Sequence, residues 1–106
     1  MTEPSFRQLF DDARRMPGFW EEGAIIAFTE ALSAVMADQS ITRTELARRL
    51  GTSQAYVTRV LSGNANFTLK TMSKLAFALG VQLDVGLRPQ HSSVAAEREG
   101  NALGAE

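Results

Sequence analysis

Apolar residues recur at helical spacing along most of this chain, and the gaps between them carry residues that start or stop helices. Phe6, Leu9, Phe10 and Ala13 keep that spacing until Pro17-Gly18 interrupts it, and Ser5-Phe6-Arg7-Gln8 supplies a capping box, so a first helix is expected near the N-terminus. From Glu21 to about Asp38, Ile25, Phe28, Leu32, Val35 and Met36 form a long stripe that predicts a second helix, covering the later ones from behind. Thr42 opens a third as N-cap, with Glu45 completing a capping box and Ile41 and Leu46 placed as a hydrophobic staple. Its inward stripe is Leu46, Ala47 and Leu50, and Gly51 follows as the residue able to turn left-handed and end it. Ser53 caps a fourth helix that buries Val57, Val60 and Leu61 and stops at Gly63. Thr68 caps a fifth, with Phe67 and Met72 as its staple, Leu69, Leu75 and Leu79 inward, and Gly80 at the end.

Beyond Gly80 the period changes. Val81, Leu83, Val85 and Leu87 alternate with Gln82, Asp84, Gly86 and Arg88 until Pro89, which is a strand pattern. A lone strand leaves its backbone donors unpaired, and no second strand is evident in the chain. One expectation is therefore pairing with the same strand of a second subunit, making Val81, Leu83, Val85 and Leu87 a dimer interface; a strand folded onto its own domain and an irregular tail are the alternatives. Residues 90–106 are small and polar without a sustained period and are expected to be disordered. The domain plan is an N-terminal helix and linker over 1–20, a helical domain over 21–80, a strand over 81–89 and a tail over 90–106.

A chain of 106 residues with 44% hydrophobic content suits one small globular domain with tails. It has no Cys, which excludes disulfides, Cys-based zinc sites and thiol nucleophiles. The single histidine, His91, has no companion ligands, and no cofactor or metal is expected. The absence of a spanning apolar run or a cleavable signal makes a soluble cytoplasmic protein the expectation, with no membrane partner.

Net charge changes the picture only when it is divided along the chain. The total is −1, yet residues 43–74 hold six cations (Arg43, Arg48, Arg49, Arg59, Lys70 and Lys74) against one anion, Glu45. Residues 1–42 hold three cations and seven anions. The positive charge thus collects on the third to fifth helices, as on a phosphate-facing surface. Outside the buried stripe of the fourth helix stand Gln54, Ala55, Tyr56, Thr58 and Arg59. Arg binds guanine O6 and N7 bidentately, Gln binds adenine N6 and N7, and Ala touches a thymine methyl, so this face has base-reading chemistry.

Thr44-Glu45-Leu46-Ala47, Leu50-Gly51, Ser53, Val57 and Leu61-Ser62-Gly63 resemble the helix-turn-helix of the Cro/CI-type (XRE) transcriptional regulators, over roughly residues 24–80. The resemblance implies an all-α fold: a compact, lambda-repressor-like bundle of about five helices, here with an extra N-terminal helix and a short C-terminal β-strand. It implies that Ala47 lets two helices cross closely and that Val57 and Leu61 anchor the recognition helix. Where the family often has Gln, this chain has Arg43, which still suits a phosphate contact. The expected DNA-binding set is Arg43, Thr44, Ser53, Gln54, Ala55, Tyr56, Thr58, Arg59, Asn64 and Asn66: Arg43, Ser53, Tyr56 and the asparagines on phosphates, and Gln54, Ala55, Thr58 and Arg59 toward bases. Arg48 and Arg49 are expected to be solvated charges or steering groups.

Catalysis is not expected. Asp11/Asp12 and Glu21/Glu22 are sequence neighbours that point to different sides of a helix, and no nucleophile has a histidine base. The expected function is sequence-specific binding of double-stranded DNA by a dimeric repressor. The competing expectation is an antitoxin, which binds a toxin protein and represses its own operon.

Overall fold

The computed structural model of the chain describes residues 5–90 and builds them into five α-helices: α1 (Phe6–Ala13), α2 (Pro17–Gln39), α3 (Arg43–Leu50), α4 (Gln54–Leu61) and α5 (Leu69–Ala78). Four of them start in one way. The hydroxyl oxygens of Ser5, Thr42, Ser53 and Thr68 accept the backbone N–H three residues on, from Gln8, Glu45, Tyr56 and Thr71, each at 3.1 Å. One orphan donor per helix is thereby satisfied within the sequence that forms it.

The ends of α2 to α5 share a second device. Ser40, Gly51, Gly63 and Gly80 take a left-handed φ, and the next residue's N–H reaches back to a carbonyl of the last turn: Ile41 to Met36, Thr52 to Ala47, Asn64 to Arg59 and Val81 to Ala76, at 2.8–3.0 Å. Gly63 needs its missing side chain twice over, because a Cβ there would stand 3.1 Å from Ile25 Cγ2.

The start of α2 differs from the sequence expectation. Pro17-Gly18 reads as a break before a helix beginning at Glu21, yet Pro17 is the first residue of α2. A proline at that position gives up only an N–H that has no intrahelical acceptor, and its fixed φ already suits the helix.

Leu32 and Met36 of α2, Leu46 and Ala47 of α3, Val57 and Val60 of α4, and Leu75 with Leu79 at the end of α5 form the core. Phe28 and Phe67 close one flank edge to face, with centroids 5.6 Å apart. The chain bends by 104° between α2 and α3, so α3 leaves the line of α2 and packs on α4 and α5, while α4 also packs on α2. Leu50 and Leu61 pack half-buried against this core; the expected inward position that departs is Leu69, which as the first residue of α5 precedes the turn that reaches the core and is 60% exposed.

No strand occurs among the described residues. The segment 81–89 lies beyond α5 without ladder partners, since alternation alone gives its donors and acceptors nothing to bond. Val81, Val85 and Leu87 are exposed there, and Leu83 is half-buried. His91 and the tail expected to be disordered fall outside the described residues. Among those described, no single helix is long and apolar enough to cross a membrane.

Candidate nucleic-acid interface

The turn between α3 and α4 places the candidate site. Gly51 at φ +68° ends α3, and Ser53 caps α4 two residues later, so the chain reverses in a very short loop. Ala47 and Val57, both buried, let the two helices approach closely. Burial of Val57 and Val60 then fixes the roll of α4. Gln54, Ala55, Thr58 and Arg59 face solvent within roughly 140° of arc at 100° per residue.

Several expected site residues meet one another. Arg43, at the start of α3, donates from Nη1 to Thr58 Oγ1 at 3.2 Å, which ties the rim of α3 to the middle of α4. Thr44 is exposed beside Arg43. The Arg59 guanidinium lies over the Tyr56 ring, 5.7 Å from its centroid, so a cation and a half-buried aromatic ring are held as a unit on the exposed face. Ser53 spends its hydroxyl on the cap of α4. The asparagines are less organised: Asn64 donates to Ser62 Oγ at 3.3 Å and closes α4 through its backbone, while Asn66 is exposed in the loop before α5. Val81, Val85 and Leu87 lie past α5, separate in sequence from this surface.

The electrostatics rest on one carboxylate. The spacing of Glu45 suits a capping box in which it reaches back to Thr42, but the side chain turns along the helix instead. Arg48 donates to it from Nε at 3.1 Å and Nη2 at 2.6 Å, and Arg49 from Nε at 2.9 Å. Those hydrogen bonds, first from Arg48 and then from Arg49, lower the Glu45 pKa from 4.5 to about 2. The same contact raises the pKa of Arg48. Two of the six cations counted in the sequence are thus held by Glu45, leaving Arg43, Arg59, Lys70 and Lys74 as exposed positive charge without an ion pair among the described residues.

Arg49 is more than the solvated charge that the sequence suggests, because its Nη1 donates to the Ala78 carbonyl at 2.9 Å. Gln39 Nε2 donates to the neighbouring Leu79 carbonyl at 2.8 Å. Both side chains satisfy carbonyls at the end of α5, and neither role was visible in sequence. The available signal was general: the last carbonyls of any helix need donors. Among the described residues, no cluster of three His, Asp or Glu side chains comes together to hold a metal.

Two short helices joined by a glycine turn, braced by α2 and α5 and presenting the polar face of the second to solvent, define a helix-turn-helix DNA-binding domain. The model of the Cro/C1-type HTH DNA-binding domain matches residues 31–84, and the chain belongs to that family. No curated protein and no solved structure matches it significantly.

Proposed function

We propose that this protein is a sequence-specific regulator that inserts α4 into the major groove of duplex DNA and represses transcription as a dimer. The observation that carries the reading is the exposed face of α4, where Gln54, Ala55, Thr58 and Arg59 stand together on a helix whose roll is fixed by two fully buried valines. Gln54 and Arg59 read base edges, while Ala55 and Thr58 offer methyl and hydroxyl contacts. Arg43 and Thr44 contact the phosphate backbone at the rim. The N-terminus of α4 behind Ser53, with Tyr56, Asn64 and Asn66, adds further backbone contacts that fix register. Arg43 uses one of its five N–H donors on Thr58, leaving the others free for phosphate.

The dimer is proposed through Val81, Leu83, Val85 and Leu87, joined on the surface by Phe77, which is 86% exposed at the end of α5. Apolar side chains this open at the end of a small domain favour a second copy, and a two-fold dimer matches an operator of two half-sites. Binding to DNA would place the protein in the cytoplasm.

In vitro selection from a random duplex library at fixed, near-physiological salt tests the reading. An enriched inverted repeat is the expected result. A single half-site removes the dimer and keeps the helix, and no enrichment removes both.

A second reading, an antitoxin that binds a toxin protein and represses its own operon, draws on the aromatic surface at the N-terminus that no other described part of the chain covers. Relief by this chain of the growth arrest caused by a neighbouring gene product is its test, and absence of relief overturns it.

A further inference from the structure

Helix α1 and the first turn of α2 form a corner that is well built locally, yet none of its residues is buried. Ser5 caps α1, the Trp20 indole donates to the Arg14 carbonyl at 2.6 Å, and Phe10 meets Phe19 edge to face at 5.4 Å. The apolar positions of α1, Phe6, Leu9, Phe10 and Ala13, fall on one face at helical spacing. Phe6 is 82% and Phe10 43% exposed, so at about 200 Å² per ring the two leave roughly 250 Å² uncovered. Leu9 and Met16, 54% and 64% exposed, extend the patch into the few hundred Å² that marks an interaction site. The core begins at Phe28, so about 13 Å of helix separates Phe19 from it, and the corner projects from the DNA-binding unit.

The charge of the corner is close to balanced, but it is laid out unevenly. Asp11 and Asp12 face Arg14 and Arg15 at 3.9 and 3.7 Å, and the Arg14 guanidinium also lies over the Phe10 ring, 5.3 Å from its centroid. That leaves Arg7 at the start of α1, and Glu21 with Glu22 at the start of α2, all exposed and without an ion pair among the described residues. The bond from Trp20 to Arg14 holds the two glutamates beside the end of α1. A surface with a cation at one end and carboxylates at the other is complementary to itself turned end for end, which is the relation a two-fold axis provides. We infer that the corner binds the same corner of a second copy, with the two α1 helices antiparallel. Leu9 and Phe10 then meet across the axis, and Phe6 lies over the partner subunit's Ala13. Arg7 comes to the end of the other α1, beside the partner subunit's Glu21 and Glu22. Doubled over two copies, a patch of this size stays near the roughly 1,000 Å² that specific interfaces clear, so the contact is weak and reversible. Helix α4 takes no part in it, and where the C-terminal contact also forms, the two contacts join one dimer to another.

Sedimentation equilibrium of the full-length V85D/L87D variant isolates this contact, because both replaced side chains are exposed and belong to the proposed C-terminal interface. Expected is a reversible monomer–dimer equilibrium, with a blue shift of Trp20, the only tryptophan, that follows the same concentration dependence. Adding F6A/L9A should weaken association about tenfold, and circular dichroism checks that each variant is folded. A charge exchange in the same background then shows which groups meet. R7E alone and E21R/E22R alone should each associate more weakly, because like charges face each other across the axis. An equimolar mixture of the two should recover the dimer, because each reversed charge now meets its opposite. A monomer at every concentration, a dimer insensitive to F6A/L9A, or a mixture no stronger than its components overturns the inference. So does a monomer whose Trp20 shifts only with the product of a neighbouring gene, which gives the surface to that protein instead.

Discussion

Helices α1 and α3 are both eight residues long, and both open on a hydroxyl that accepts an N–H at 3.1 Å, yet α3 buries Leu46 and Ala47 while α1 buries nothing. Capping decides where a helix starts, and it works equally well on both. Membership of the fold is decided by what the apolar face meets. The face of α3 meets α4 and α5 across a tight turn; the face of α1 meets Phe19 at the projecting end of α2, through Phe10. Local sequence signals cannot separate these outcomes, because the difference lies in residues far away along the chain.

Substitutions in the two helices should separate them sharply. Leu46→Ala empties a fully buried site and is expected to cost roughly 2–5 kcal/mol of unfolding free energy in a urea titration. Leu9→Ala should stay within about 0.5 kcal/mol in the same titration. Equal losses would mean that α1 belongs to the cooperative unit after all.

DNA binding offers the next contrast. Arg59→Ala should cost roughly 1–3 kcal/mol on the selected operator and relax the preference at one base pair. Arg43→Ala should weaken selected and random duplexes about equally, because a phosphate contact carries no sequence information. Fluorescence anisotropy at one salt concentration measures both, and equal losses on both DNAs for both variants would reverse the assignment of roles.

Removing a cap should matter only where the helix is packed. Thr42→Ala is expected to lower global stability by about 1 kcal/mol, whereas Ser5→Ala should reduce helical ellipticity and leave the thermal midpoint unchanged.

The smallest expected effect concerns acid. The folded-state pKa of Glu45, about 2, lies below its ordinary 4.5, so the unfolded chain binds the extra proton between those values. The stabilisation is complete above pH 4.5 and is lost as pH falls toward 2. Glu45→Gln should flatten the stability-against-pH curve in that window, read by thermal melts, and an unchanged curve would mean that the Arg48 and Arg49 contacts do not persist in solution.

Much of the fold was legible because its signals are local. Thr42, Ser53 and Thr68 as caps, and Gly51, Gly63 and Gly80 as ends, work through neighbours within five residues, and each falls at a boundary of α3, α4 or α5. Pro17 was ambiguous because proline both ends one helix and begins the next. The alternation of 81–88 misled because period two describes side chains, whereas a strand is made by backbone partners. The glutamate at 45 fits a capping box by spacing alone, and only the competing guanidiniums three and four residues on divert it. The polar face of α4 could be foreseen from the positions of Val57 and Val60. The Arg43–Thr58 contact spans 15 residues, and the bonds from Arg49 and Gln39 to the end of α5 span 29 and 40, beyond the reach of any periodicity.

Those last two bonds also define a load path. Tension applied to the segment after Gly80, by a partner or by a second copy, enters the domain at the Ala78 and Leu79 carbonyls and is taken up by Arg49 on α3 and Gln39 on α2. Neither bond ends on α4, so a load on the segment after Gly80 reaches the helix that faces solvent only through α2 and α3.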